Sequence, residues 1–97
     1  MKITYRDGFV STWKQGTLPD FLTREAITAR LGVEPREYND DETDGKVTLE
    51  WSFNVDGRPC GIWDYYGRRW STFGPDSILA RLFNSYEPLG ARRNDAA

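Results

Sequence analysis

The sequence predicts an α+β fold in the order ββαβββα, an antiparallel β-meander sheet with two helices packed on one face. Three observations lead there. Residues 47–55 alternate apolar and polar side chains without a break, the period of a half-buried strand. Turn pairs stand at Asp7-Gly8, Asp56-Gly57 and Tyr66-Gly67, between segments of β-favouring residues. Two further segments place apolar residues at helical spacing.

The start, KITYRDGFVSTW, is expected to form a hairpin about Asp7-Gly8. TLPDFLTREAITARLGVEP follows as a helix. Asp20 or Thr23 can cap it, Glu25 sits in its first turn, Gly32 suits the residue after its end, and Pro35 stops it from resuming. Leu22, Ala26, Ile27 and Leu31 share one face. REYNDDETDG is acidic, but its glycine and glutamate miss the spacing of a calcium loop, so it is expected as a solvated connection. KVTLEWSFNV is the strongest strand, RPCGIWDYY returns after Asp56-Gly57, and RRWSTF makes the third strand. GPDSILARLFNSY closes the fold as a helix capped by Asp76 or Ser77, with Ile78, Leu79, Leu82, Phe83 and Tyr86 in one stripe. Residues 1–90 are expected as one domain and residues 91–97 as a disordered tail with nothing to bury.

A two-residue turn at Asp56-Gly57 pairs Val55 with Arg58, Phe53 with Cys60, Trp51 with Ile62 and Leu49 with Asp64. A second at Tyr66-Gly67 pairs Asp64 with Arg69 and Trp63 with Trp70. One face then carries Val47, Leu49, Trp51, Phe53, Cys60, Ile62 and Phe73, which the helices should cover. The other carries Thr48, Glu50, Trp63, Tyr65, Arg68 and Trp70. An aromatic face without a helix has two readings. It is a binding surface, or it is packing, closed by the N-terminal hairpin or the acidic loop, with Trp63 and Trp70 as a cross-strand pair. Asp64 falls on the core side, where pairing with Arg69 would fix register.

Composition narrows the chemistry. The 97 residues include no histidine and one cysteine, so no histidine-based triad, no Cys–His pair and no ordinary zinc site can form. No cofactor or metal is expected, and Glu50 and Asp64 point to opposite faces instead of converging as an acid–base pair. Cys60 is expected as a small buried hydrophobe. The net charge of −2 offers no global attraction to nucleic acid or membrane. A polar N-terminus, the lack of a long apolar run and the single cysteine lead to an expectation of a cytoplasmic protein. TFGPDS places backbone N–H groups at a helix start, but an Asp76 cap would fill that position.

The contact surface expected from these patterns is Glu50, Trp63, Tyr65, Arg68 and Trp70. Its partner is a protein or protein complex, with a homodimer as another way to hide the tryptophans. The alternative is a nucleic-acid or nucleotide-binding module in which the same aromatics and arginines stack on bases.

ITARLGVEP, the acidic loop, DGKVTLEWSFNVDGRPCGIWDY and RRWSTFG together resemble a group of small, uncharacterised bacteriophage-encoded accessory proteins. The likeness spans about residues 25–75 and rests on Leu31, Gly32, Pro35, Lys46, Glu50, Trp51, Asp56, Gly57, Ile62, Trp63, Asp64, Tyr65, Trp70 and Gly74. The chain departs from that pattern at Tyr66-Gly67, where a lysine is common, and at Phe73-Gly74, where a glycine pair is usual. The resemblance implies a non-enzymatic protein that blocks a host factor, such as an anti-CRISPR-like inhibitor of a bacterial defence system.

Overall fold

The computed structural model describes residues 1–10, 13–43, 45–67 and 70–90. Along the chain run β1 (Ile3–Tyr5), β2 (Gly16–Leu18), α1 (Arg24–Leu31), β3 (Arg36–Glu37), α2 (Asp40–Thr43), β4 (Leu49–Val55), β5 (Arg58–Trp63), β6 (Trp70–Phe73), α3 (Asp76–Leu82) and β7 (Glu87–Pro88). The fold is α+β. Among the described residues, seven antiparallel strands form one sheet in the order β1-β4-β5-β6-β2-β7, with β3 beside the start of β4.

The central hairpin takes the expected register: Val55 faces Arg58, Phe53 faces Cys60 and Trp51 faces Ile62. Asp56 and Gly57 both take positive φ, 50° and 82°, as a two-residue type I′ turn requires. Trp51, Phe53, Val55, Cys60 and Ile62 therefore share a face, and all are fully buried. Ile27 and Leu31 of α1 pack there with Leu79 and Leu82 of α3, so both longer helices cover one side of the sheet. Thr23 caps α1 by accepting from the Ala26 N–H at 3.1 Å, and Gly32 ends it at φ 73°.

The N-terminal segment is not the expected hairpin. β1 pairs with β4 and β2 with β6, so three strands separate them. The reason is reach. Two three-residue strands joined to each other would be marginal, whereas each gains a longer neighbour at opposite sides of the meander. Gly8, at φ 84°, turns the chain onto the sheet's outer face instead. From Arg6 N–H on Ser52 O to Gln15 N–H on Thr72 O, the chain passes from β4 to β6.

The second hairpin is offset by one residue. Trp63 faces Ser71, not Trp70, one residue off the register that a two-residue turn at Tyr66-Gly67 would set. A one-residue offset exchanges the faces of a strand. Trp70 therefore lies on the core face, its ring 5.3 Å from that of Trp51, and its indole N–H donates to Leu22 O at 2.8 Å. Phe73 moves to the outer face, opposite Gly61.

The other departures are local. Asp76 makes no cap hydrogen bond; Pro75 holds the cap position and the Asp76 carboxylate instead accepts from the Tyr86 hydroxyl. α3 stops at Leu82, where Phe83 turns extended and the Arg30 guanidinium takes the carbonyls of Leu82 and Arg81. The acidic stretch is partly ordered as β3 and α2. Residues 91–97 lie outside the described residues. No helix among those described is long and apolar enough to cross a membrane.

Candidate binding surface

The outer sheet face, for which the sequence left open a binding surface and closure by the chain itself, is covered by the chain. Phe9 packs against Trp63, with ring centroids 5.8 Å apart, and against Tyr38 at 6.3 Å. Val10 lies over Gly61, 3.6 Å from where a β-carbon would stand. Trp63 is consequently 4% exposed and Glu50 1%. That is the packing reading of the aromatic face, reached through a crossing segment and not through a hairpin.

Beneath this cover Glu50 accepts from the Tyr38 hydroxyl at 3.2 Å and from the Ser52 hydroxyl. Arg36, opposite Glu50 in the sheet, donates to Asp7 at 2.9 Å and to the Tyr5 hydroxyl at 3.0 Å. Burial pushes the Glu50 carboxyl up, against the opposing pull of the Tyr38 hydrogen bond and the Arg36 charge. It raises Tyr38 as well. Glu50, Tyr38 and Ser52 thus form a hydrogen-bonded group with the Glu50 carboxyl buried at its centre.

The remaining expected site residues scatter. Tyr65 is 46% exposed and forms an edge-to-face pair with Tyr66, their centroids 4.6 Å apart. Tyr66 takes φ 54° and donates its N–H to Lys46 O at 2.8 Å. Trp70 is on the opposite face, half-buried. Arg68, and Arg69 as the expected partner of Asp64, lie outside the described residues. Asp64 accepts from the N–H groups of Thr48 and Leu49, at 2.8 and 2.9 Å, and from the Thr48 hydroxyl, tying the end of β5 to the start of β4.

A concave surface opens elsewhere, at the end of the sheet where β2, β6 and β7 meet the start of α3. One basin, of about 410 Å³, is lined by Trp13, Lys14, Asp76 and Leu89 among others. A second, of about 290 Å³, is lined by Arg58, Pro59 and Phe73. Gln15, Gly74 and Pro75 belong to both, so the two basins adjoin, and together they are the groove. Its backbone frame is fixed: Gln15 N–H donates to Thr72 O, Leu89 N–H donates to Gln15 O at 3.1 Å, and the Gln15 side chain accepts from Gly74 N–H at 3.2 Å. Trp13 stands at the rim, 74% exposed, with Leu89 at 43%.

Sequence reasoning placed Trp13 at the end of a hairpin strand and missed this groove. A usable signal was the neighbourhood TWKQG, where a tryptophan sits among polar residues with no apolar partner at i±2. Lys14 and Arg58 flank the groove, and the ion pairs among the described residues, Arg24–Glu37 and Arg36–Asp7, involve neither.

Cys60 is fully buried, and desolvation pushes its thiol up to about 11, so it is held as an inert thiol. Among the described residues no group of three or more acidic or cysteine side chains could hold a metal. In comparisons with known proteins the chain matches no family model, no curated protein and no solved structure.

Proposed function

We propose that this chain is a small non-enzymatic binding protein that occludes a partner protein, acting in the host cytoplasm as a phage-encoded inhibitor of a bacterial defence system. The observation that carries the binding reading is Trp13, 74% exposed beside Leu89 on a concave surface, while Trp51 and Trp63 are buried and Trp70 is half-buried. A large ring left in water at a groove adds little to folding and much to association, where tryptophan, tyrosine and arginine dominate interface energetics. Arg58 flanks the same groove, and Tyr65 and Tyr66 give a second exposed aromatic point. The defence-inhibitor reading is supported by the resemblance of residues 25–75 to phage accessory proteins.

The test is the plating efficiency of a targeted phage on bacteria carrying defined defence systems. Hosts express the wild-type chain, the Trp13→Ala/Leu89→Ala variant, or neither. Protection of the phage by the wild type, lost with a folded groove variant, is the expected result. Absence of protection across CRISPR and restriction hosts would refute the inhibitor reading.

A further inference from the structure

We propose that the groove at Trp13 takes an extended, acidic peptide segment of the partner, its apolar side chains seated on Trp13, Leu89 and Phe73 and its carboxylates on Lys14 and Arg58. The proposal rests on the reading of the chain as a binding protein and specifies the chemistry of what it binds.

Shape comes first. The two basins adjoin at Gln15, Gly74 and Pro75, and their volumes of about 410 and 290 Å³ suit successive side chains of a linear segment laid across both. The apolar part of the lining is Trp13 and Leu89 in one basin, Pro59 and Phe73 in the other, and Pro75 shared by both.

Polarity comes next. Each acceptor-bearing side chain of the groove makes one hydrogen bond within the chain. The Gln15 carbonyl oxygen accepts from Gly74 N–H, and the Asp76 carboxylate accepts from the Tyr86 hydroxyl. The donor groups make none: the Gln15 amide nitrogen, the Lys14 ammonium and the Arg58 guanidinium have no hydrogen-bond partner among the described residues. Two cations against the single Asp76 carboxylate leave the groove net positive, and with its donors uncommitted it complements an acceptor-rich, anionic ligand.

A peptide fits this better than a nucleic acid. Unspecific binding of a strand needs several phosphate contacts and successive stacking rings. Here two cations and the Asp76 carboxylate line the groove, its two rings, Trp13 and Phe73, stand in different basins, and the chain as a whole carries a net charge of −2.

The experiment is selection from a random peptide display library on the full-length chain. Fluorescein-labelled synthetic copies of the enriched peptides are then titrated by anisotropy. The proteins are the wild type, Trp13→Ala, Lys14→Glu/Arg58→Glu and Phe21→Ala, each checked for folding by circular dichroism. Enriched peptides are expected to carry aspartate or glutamate beside large apolar residues. Affinity should fall about tenfold or more in Trp13→Ala and in the charge reversal, and hold in Phe21→Ala, which removes an equally exposed ring away from the groove. The charge-reversed chain should prefer the same peptides with lysine in place of their acids, which a merely unfolded variant would not do.

Peptides without acids, peptides indifferent to both groove variants, or no enrichment at all would overturn the proposal. If phage protection persists in that case, the binding-protein reading survives it. Two other occupants would also overturn it. One is an oligothymidylate that binds the groove more tightly than any peptide, with a steep loss on adding salt. The other is a second copy of the chain, seen as a dimer by light scattering that Trp13→Ala dissociates.

Discussion

Phe9 lies on Trp63 with ring centroids 5.8 Å apart at an interplanar angle of 56°. That contact turns an aromatic sheet face into an interior surface, because it brings the segment between β1 and β2 across the outside of the meander. Replacing Phe9 with alanine should cost about 2 kcal/mol of stability by urea denaturation, a reduced large-to-small penalty since Phe9 is itself half-buried. The emission of Trp63 should shift to the red as its cover is lost. An unchanged midpoint and spectrum would show that the segment does not close the face.

Glu50 titrates above an ordinary glutamate because it is buried between Ser52 and Tyr38. The folded chain therefore holds this proton at pH values where the unfolded chain has released it. Its contribution to stability is greatest below the unfolded value of 4.5 and falls as pH rises through the folded one. Glu50→Gln keeps an acceptor for Tyr38 and cannot titrate. Relative to the wild type, the variant should gain stability steadily from acid to neutral pH in parallel thermal melts. A constant difference across that range would contradict the assignment.

Asp64 joins two strands with one carboxylate, accepting from Thr48 and Leu49 N–H and from the Thr48 hydroxyl. Hydrogen bonds to a charged acceptor are the stronger kind. Asp64→Ala should destabilise by about 2–3 kcal/mol, and Asp64→Asn, which keeps one acceptor oxygen, by less. Amide hydrogen exchange at Thr48 and Leu49 should speed up in both.

Arg30 of α1 ends α3. Its Nε donates to Leu82 O at 2.7 Å and its Nη2 to Arg81 O at 3.3 Å. Arg30→Ala should cost about 1 kcal/mol, and Arg30→Lys should recover only part of it, since an ammonium cannot span both carbonyls with the same fork. Chemical denaturation of the three proteins reads the difference.

The Cys60 thiol, fully buried and pushed up to about 11, should not react with a thiol reagent at neutral pH in the folded chain. It should react at once in denaturant. Fast labelling of the native protein would mean that β5 opens readily at its centre.

The parts legible in the sequence are those where two independent constraints agree. Strict alternation from Val47 to Val55 and the positive-φ pair Asp56-Gly57 demand one register, and the β4–β5 ladder has it. Thr23 and Gly32 announce both ends of α1 by their own chemistry. Where one constraint stood alone, it failed. Tyr66 and Gly67 do take positive φ, at 54° and 67°, but that does not set the number of residues in the connection, so Trp63 pairs with Ser71. Hydrophobicity could not correct the error, because a tryptophan at 70 suits either face. The hairpin about Asp7-Gly8 failed for a different reason. Its local turn signal is real, but a long-range ladder from Ile3 and Tyr5 to Val55 and Phe53 wins over a short local one. The candidate site followed these errors. Glu50 and Trp63 were assigned to the correct face without the segment that buries them, and the groove at Trp13 exists only through the pairing of β2 with β6 and β7.

Hydroxyl-radical footprinting of the wild-type chain, read by mass spectrometry, tests the central claim most directly. It compares Trp13 and Trp63 in one sample without any substitution. Fast oxidation of Trp13, Tyr65 and Tyr66 with strong protection of Trp63 and Trp51 is the result expected from a closed outer face and an open groove. Oxidation of Trp63 as fast as that of Trp13 would contradict it, and would return the sheet face to the surface as the place where this protein meets its partner.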